Sequence, residues 1–286
     1  MLLRPALPRT IAAALAREAI MVPIAAWPTA AMAYQVFFRG LGQFIWLAGG
    51  WLTCLLGCVV IKMVPWPESV ESLLALLTVL VIAIGSAGVS VGWYRALLVE
   101  EASFAAIPFS LGFTELRYFL YQAAIALIVV APVALLCLLL GWQPLWAAAL
   151  SFLRGGPLNS RALLLVTGGV ALLLPLIVLS FRLAARLILA LAAVAIDDSP
   201  GRLLREAWRH TRGNTRALFY GWLACIVPVA LLWGLSSVIL QHALGALAGP
   251  IVELSAYLCY FVALGLTAGF FSSVFSQFAE GASAGA

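Results

Sequence analysis

The sequence predicts an all-α polytopic membrane protein, a transmembrane helical bundle of about six spans with an N-terminal interfacial segment and one cytoplasmic amphipathic helix. Three observations predict it. Hydrophobic residues make up 65% of the 286 positions and charged residues 9%, against roughly 45–50% and 25% in an ordinary soluble domain. Stretches without Asp, Glu, Lys or Arg recur at 40–61, 72–94, 118–153, 162–181, 217–252 and 254–279. Each reaches the roughly 20 residues a helix needs to cross about 30 Å of hydrocarbon. The basic residues, finally, fall almost wholly on one side of the topology those runs imply. A soluble globular protein is excluded, because a chain of this size cannot bury so much apolar surface in its own core.

Residues 1–38 form the interfacial or half-inserted lead. The charge-free stretch 19–38 contains Pro23 and Pro28 and runs into Arg39 and Gly40, features that favour insertion part-way over a seventh span. A cleaved signal peptide ending near Ala31-Met32-Ala33 is the remaining reading, against which stand a long n-region and Glu18 beside the apolar stretch. Spans one to four occupy 41–190, near 41–63, 70–97, 117–140 and 160–190. Pro65 with Pro67, Gly141 with Pro144, and Gly155-Gly156-Pro157 supply the breaks between them. The last two spans fill 217–278, near 217–241 and 251–278, divided at Gly249-Pro250. Glu253 then complements the dipole of the last helix, and 279–286 is a flexible tail.

Orientation follows from charge. With six spans and a cytoplasmic amino terminus, 13 of the 16 basic residues lie inside, and only Lys62, Arg154 and Arg161 lie outside. A multi-pass protein of a bacterial inner (cytoplasmic) membrane with both termini cytoplasmic is expected.

The segment 197–216 is the most informative. Ser199-Pro200 opens and Gly213-Asn214 closes a helix of about thirteen residues. On it Leu203, Leu204, Ala207, Trp208 and Thr211 centre on one side, and Arg202, Arg205, Glu206, Arg209 and Arg212 on the other. This is an interfacial helix, with Leu204 and Trp208 in the acyl boundary and the arginines toward headgroups or an acidic partner. His210 lies between the two faces.

Arg182 and Arg186 share a helix face and are followed by ten apolar residues, Leu187 to Ile196. Three roles are open to them: snorkelling to lipid phosphate, ion pairs with Glu100, Glu101 and Glu115, or contacts to a substrate anion. Gly85, Gly88 and Gly92 in the second span, and Gly265 and Gly269 in the last, are small-residue positions for close helix packing within the chain or between subunits. The five cysteines lie in apolar stretches and read as packing residues.

Catalytic patterns are wanting. His210 and His242 fall on opposite sides, Ser236, Ser272 and Ser273 have no evident base, and no phosphate loop or dinucleotide fingerprint occurs. Neither a metal nor a cofactor is expected, and no basic groove interleaved with aromatics points to nucleic acid.

The stretches VGWYRALLVEE (91–101), FTELRYFLY (113–121), FRLAARLILALAAVAIDD (181–198) and LREAWRHTRGN (204–214) resemble a poorly characterised group of bacterial polytopic proteins related to the membrane domain of glycerophosphoryl diester phosphodiesterases. The resemblance covers roughly residues 85–220. It implies a six-helix inner-membrane bundle with a cytoplasmic amphipathic segment after the fourth span. Phosphodiesterase activity does not carry over, since it belongs to a separate His- and carboxylate-rich domain for which this chain has no room. Ala192-Ala193 stand where relatives often have Pro, which leaves a kink there open.

The reading is therefore a non-catalytic integral membrane protein, an accessory or scaffold subunit of a membrane complex or a lipid-contacting organiser. Its expected partners are anionic lipids or another membrane protein. A transporter or channel for a small or lipidic solute is the alternative. A membrane-embedded lipid-metabolism enzyme, which would need polar groups converging at one depth, is the weaker one.

Overall fold

The computed structural model describes residues 24–99, 112–140, 160–196, 208–209, 211–245 and 248–284. These fold as α1 (Ala26–Arg39), α2 (Leu41–Lys62), α3 (Glu68–Leu98), α4 (Phe113–Leu140), α5 (Ser160–Leu187), α6 (Leu189–Ile196), α7 (Thr215–Leu244) and α8 (Ala248–Ala284), with no strand among the described residues. Six segments are long and apolar enough to cross a membrane: Leu41–Lys62, Glu68–Leu98, Phe113–Leu136, Ala171–Ile196, Thr215–Leu244 and Ala248–Phe278.

Helix boundaries depart from expectation in three instructive places. α4 starts at Phe113 rather than near 117 because Gly112 N–H donates to Glu115 Oε2 at 2.9 Å, half of a capping box that carries the helix back past Arg117. The fourth span is interrupted at Ile188, where the α ladder gives way to one turn (Leu191 N–H to Ile188 O, 2.9 Å). The chain then re-enters as α6, buried along nearly its whole length against α3, α4 and α8. At the C-terminus, the tail expected from 279 is helical as far as Ala284, in keeping with its alanines and Glu280.

Of the hard stretch 19–38, residues 19–23 lie outside the described residues, and α1 takes up most of the rest. Its 14 residues extend about 21 Å, too short to cross a bilayer. The helix wedges between α7 and α8 instead, its backbone resting on glycines. A Cβ on Gly221 would stand 3.1 Å from Ala26 O, and one on Gly269 3.4 Å from Ala33 O. Polar contacts fasten it at its start and in its middle. Ile24 N–H donates to Asn214 Oδ1 (3.3 Å), Gln277 Nε2 donates to Thr29 Oγ1 (3.2 Å), and Tyr34 O–H donates to Ala224 O (3.0 Å).

α8 is the axis, touching α1, α2, α3, α6 and α7. Its buried row Phe261, Leu266, Phe270, Phe271, Val274 and Phe275 sits toward the end where most arginines lie, called the arginine end below. There Phe37, Phe44 and Trp93 stack edge-on with centroids 5.0 to 6.3 Å apart, closing over Gly265. Trp93 Nε1–H donates to Gly265 O at 3.1 Å, so the buried indole has its partner. The outer flanks of α2, α3, α4, α5 and α7 present Leu, Ile and Val outward, as lipid requires.

Candidate functional site

Two polar groupings stand out from the apolar bundle, one within the spans and one at the arginine end. The first lies where α3, α4 and α8 meet. Ser86 O–H donates to Ala83 O at 2.8 Å, leaving its lone pairs for Gln122, whose Nε2–H donates at 3.2 Å. One turn along, Ser90 on α3 and Tyr118 on α4 are both buried. Ser86 with Ser90 and Tyr118 with Gln122 are both i, i+4 pairs on facing helices. This pairing was the available signal, and single-span reading passes over it. Polar groups thus do converge at one depth, contrary to the sequence expectation. All are neutral, so the grouping can hold helices by hydrogen bonds but has no charged base to activate a hydroxyl.

At the arginine end the side chains act as ties. Arg95 Nε–H donates to Ala195 O (3.0 Å), capping a carbonyl left open at the end of α6. Its Nη2 reaches Thr114 Oγ1 (3.1 Å), and its Nη1 stands 3.9 Å from Glu115. Arg186 holds the segment before α7. Nε–H donates to Thr211 Oγ1 (3.1 Å), Nη2–H to Trp208 O (2.6 Å), and the guanidinium lies 3.4 Å from the centre of the Trp208 ring.

Of the three roles open to Arg182 and Arg186, an ion pair with Glu115 is not formed. Arg95 takes Glu115, since both stand at the α3–α4 junction, whereas Arg182 and Arg186 turn toward α7. Glu100 and Glu101 lie outside the described residues. Arg182 Nε is buried without a hydrogen-bond partner, and the guanidinium lies 5.6 Å from the Phe219 ring. Of the amphipathic segment, Arg202, Leu204, Arg205 and His210 lie outside the described residues, while Trp208, Arg209 and Arg212 are exposed. Trp208, expected in the acyl boundary, stacks on Arg186.

The five glycines meet the chain's own side chains. Trp51 covers Gly85 and Gly88, Leu47 covers Gly92, Phe37 and Phe44 cover Gly265, and Ala33 lies on Gly269. At the opposite end Lys62 Nζ pairs with Glu253 Oε1 at 2.7 Å, and Tyr257 O–H donates to the same oxygen. Ser236 and Ser273 donate to Trp233 O and Gly269 O within their own helices, and Ser272 Oγ is buried with no partner. His242 is exposed at the end of α7. No cluster of three metal-binding side chains occurs among the described residues.

Fold and site together define a multi-pass α-helical membrane protein. Comparison with family models, curated proteins and solved structures finds no match to this chain.

Proposed function

We propose that this chain is a non-catalytic accessory or scaffold subunit of a membrane complex, set in a bacterial inner membrane with its arginine end in the cytoplasm. The orientation rests on the positive-inside rule, and anionic headgroups would meet Arg209, Arg212 and Arg216, which are exposed at that end.

One observation carries the scaffold reading. α4 packs on α3, α5 and α6, and the residues it buries most, Glu115, Tyr118 and Ile125, follow one seam with Gln122 and Val129, spaced alternately by three and four residues. Such a seam covers only a fraction of a helix's circumference. The outer face of α4 is apolar and exposed, including Leu116, Leu120, Leu127, Val130 and Leu135. Within the bundle, described polar side chains are mostly turned to its own ties, Ser272 Oγ and Arg182 Nε excepted. A span with so broad an apolar outer face offers a second membrane protein a surface on which to displace lipid.

The test is site-specific photocrosslinking in native membranes. A photoreactive residue at Leu120 or Leu127 should give one defined protein adduct, while one at the buried Ile125 should give only intrachain products. Adducts with lipid alone at Leu120 and Leu127 would refute docking through α4.

A second reading, a transporter or channel for a small or lipidic solute, is favoured by Arg182 and Arg186 having no carboxylate partner among the described residues.

A further inference from the structure

We propose that Arg182, with Arg186 one turn away, forms a binding site for a phosphate group at the arginine end of the bundle, between α5 and the start of α7. The site does not depend on the scaffold reading.

The two arginines leave the same face of α5, as side chains four residues apart do. Arg186 spends its Nε and one Nη on Thr211 Oγ1 and Trp208 O and lays its plane on the Trp208 ring. These groups are uncharged, so they fix the guanidinium in place without neutralising it. Arg182 has less: its Nε is buried without a partner, and what faces it is the ring of Phe219. Arg212 stands near enough for its charge to act on Arg186. Glu115, at the start of α4, caps Gly112 N–H and faces Arg95.

Arginine cannot shed its charge by losing a proton, and it presents five N–H donors in a rigid fork. An arginine partly withdrawn from water at the end of a membrane span calls for an anion with several acceptor oxygens. A phosphate oxygen pair matches the fork, and Arg186, already immobilised, supplies a second positive charge without further ordering. A phospholipid headgroup and free inorganic phosphate share this chemistry.

The experiment uses the full chain, purified in a neutral maltoside and stripped of lipid. Phosphatidylglycerol, diacylglycerol or inorganic phosphate is titrated while the unfolding temperature is followed and retained lipid is counted by native mass spectrometry. Phosphatidylglycerol should bind and stabilise the protein, and diacylglycerol, which lacks the phosphate, should not. Arg182→Gln should weaken phosphatidylglycerol binding about tenfold or more, the range expected for a charge-assisted hydrogen bond. Arg39→Gln, at an exposed arginine of the same end, should leave it unchanged.

A response to inorganic phosphate equal to that for phosphatidylglycerol would support the site and assign it to a soluble anion, and a response to the lipid alone assigns it to the bilayer. Wild-type protein that binds neither probe, or equal losses in Arg182→Gln and Arg39→Gln, would overturn the proposal. Should Arg182→Gln fail to fold, wild-type protein decides through arginine modification with phenylglyoxal. Phosphatidylglycerol or phosphate should protect Arg182 and leave Arg39 reactive, and absence of protection from both overturns the site.

Discussion

Pro228 lies inside α7 and has no N–H to give, so the carbonyl four residues back, Ala224 O, loses its helical partner in the middle of a span. Tyr34 of α1 supplies the missing donor, its hydroxyl 3.0 Å from Ala224 O and 3.2 Å from Cys225 O. An open carbonyl in hydrocarbon is costly, and membrane interhelical hydrogen bonds average about 0.6 kcal/mol with a maximum near 1.7. Tyr34→Phe removes the donor and nothing else, and should cost about 1–1.5 kcal/mol, toward the upper end because the acceptor has no alternative. In a Pro228→Ala background the helix supplies its own N–H, and the same substitution should then cost about 0.5 kcal/mol or less.

Equilibrium unfolding in mixed dodecyl sulfate and maltoside micelles, followed by circular dichroism, gives all four corners of the cycle. Equal costs of Tyr34→Phe in the two backgrounds would refute the argument that proline creates the acceptor Tyr34 serves. Burial, and secondarily the neighbouring Cys225, push the Tyr34 phenol above its ordinary value. The neutral form is therefore the one favoured in the folded state, so the contribution is complete below about pH 10 and lost as pH rises through the raised value.

Trp93→Phe keeps the aromatic stack but removes the donor to Gly265 O, and should cost about 1 kcal/mol in the same unfolding assay. Gly265→Val should be severe, since its Cβ would stand 2.6 Å from both Phe37 and Phe44, whereas Gly57→Ala, with open space around it, should be neutral or slightly stabilising. Lys62→Met should leave Glu253 without its cation and loosen the end where α2 meets α8, seen as faster hydrogen exchange around 248–257 with 265–275 unaffected. Arg186→Ala should release the segment before α7, raising protease cleavage near 208–211 while the spans stay protected.

The spans, their number and the pile-up of arginines at one end are legible in the sequence because insertion is a local property. One Arg or Asp at a helix centre costs about 2.5–3.5 kcal/mol, so charge-free runs mark the helices wherever they pack. The glycines of the second and last spans were legible as close-approach points for the same reason. Their partners were not. That Trp51 lies on Gly85 and Phe37 on Gly265 depends on which helices are neighbours, and an apolar face carries no address for its mate.

Charge partners were equally hidden. Arg182 and Arg186 share the arginine end with Glu115, but reach in a folded bundle is decided by helix direction, and α5 turns them toward Phe219 and Trp208 while Arg95 takes the carboxylate. The hydrogen-bonded pair Ser86–Gln122 exists only once α3 and α4 are side by side. Hydropathy thus determined where the chain crosses and which end carries the positive charge. Tertiary contact alone decided that α1 is wedged between α7 and α8, that α8 is the axis, and that Arg182 is left facing a ring, because each depends on residues up to 248 positions apart meeting in one place.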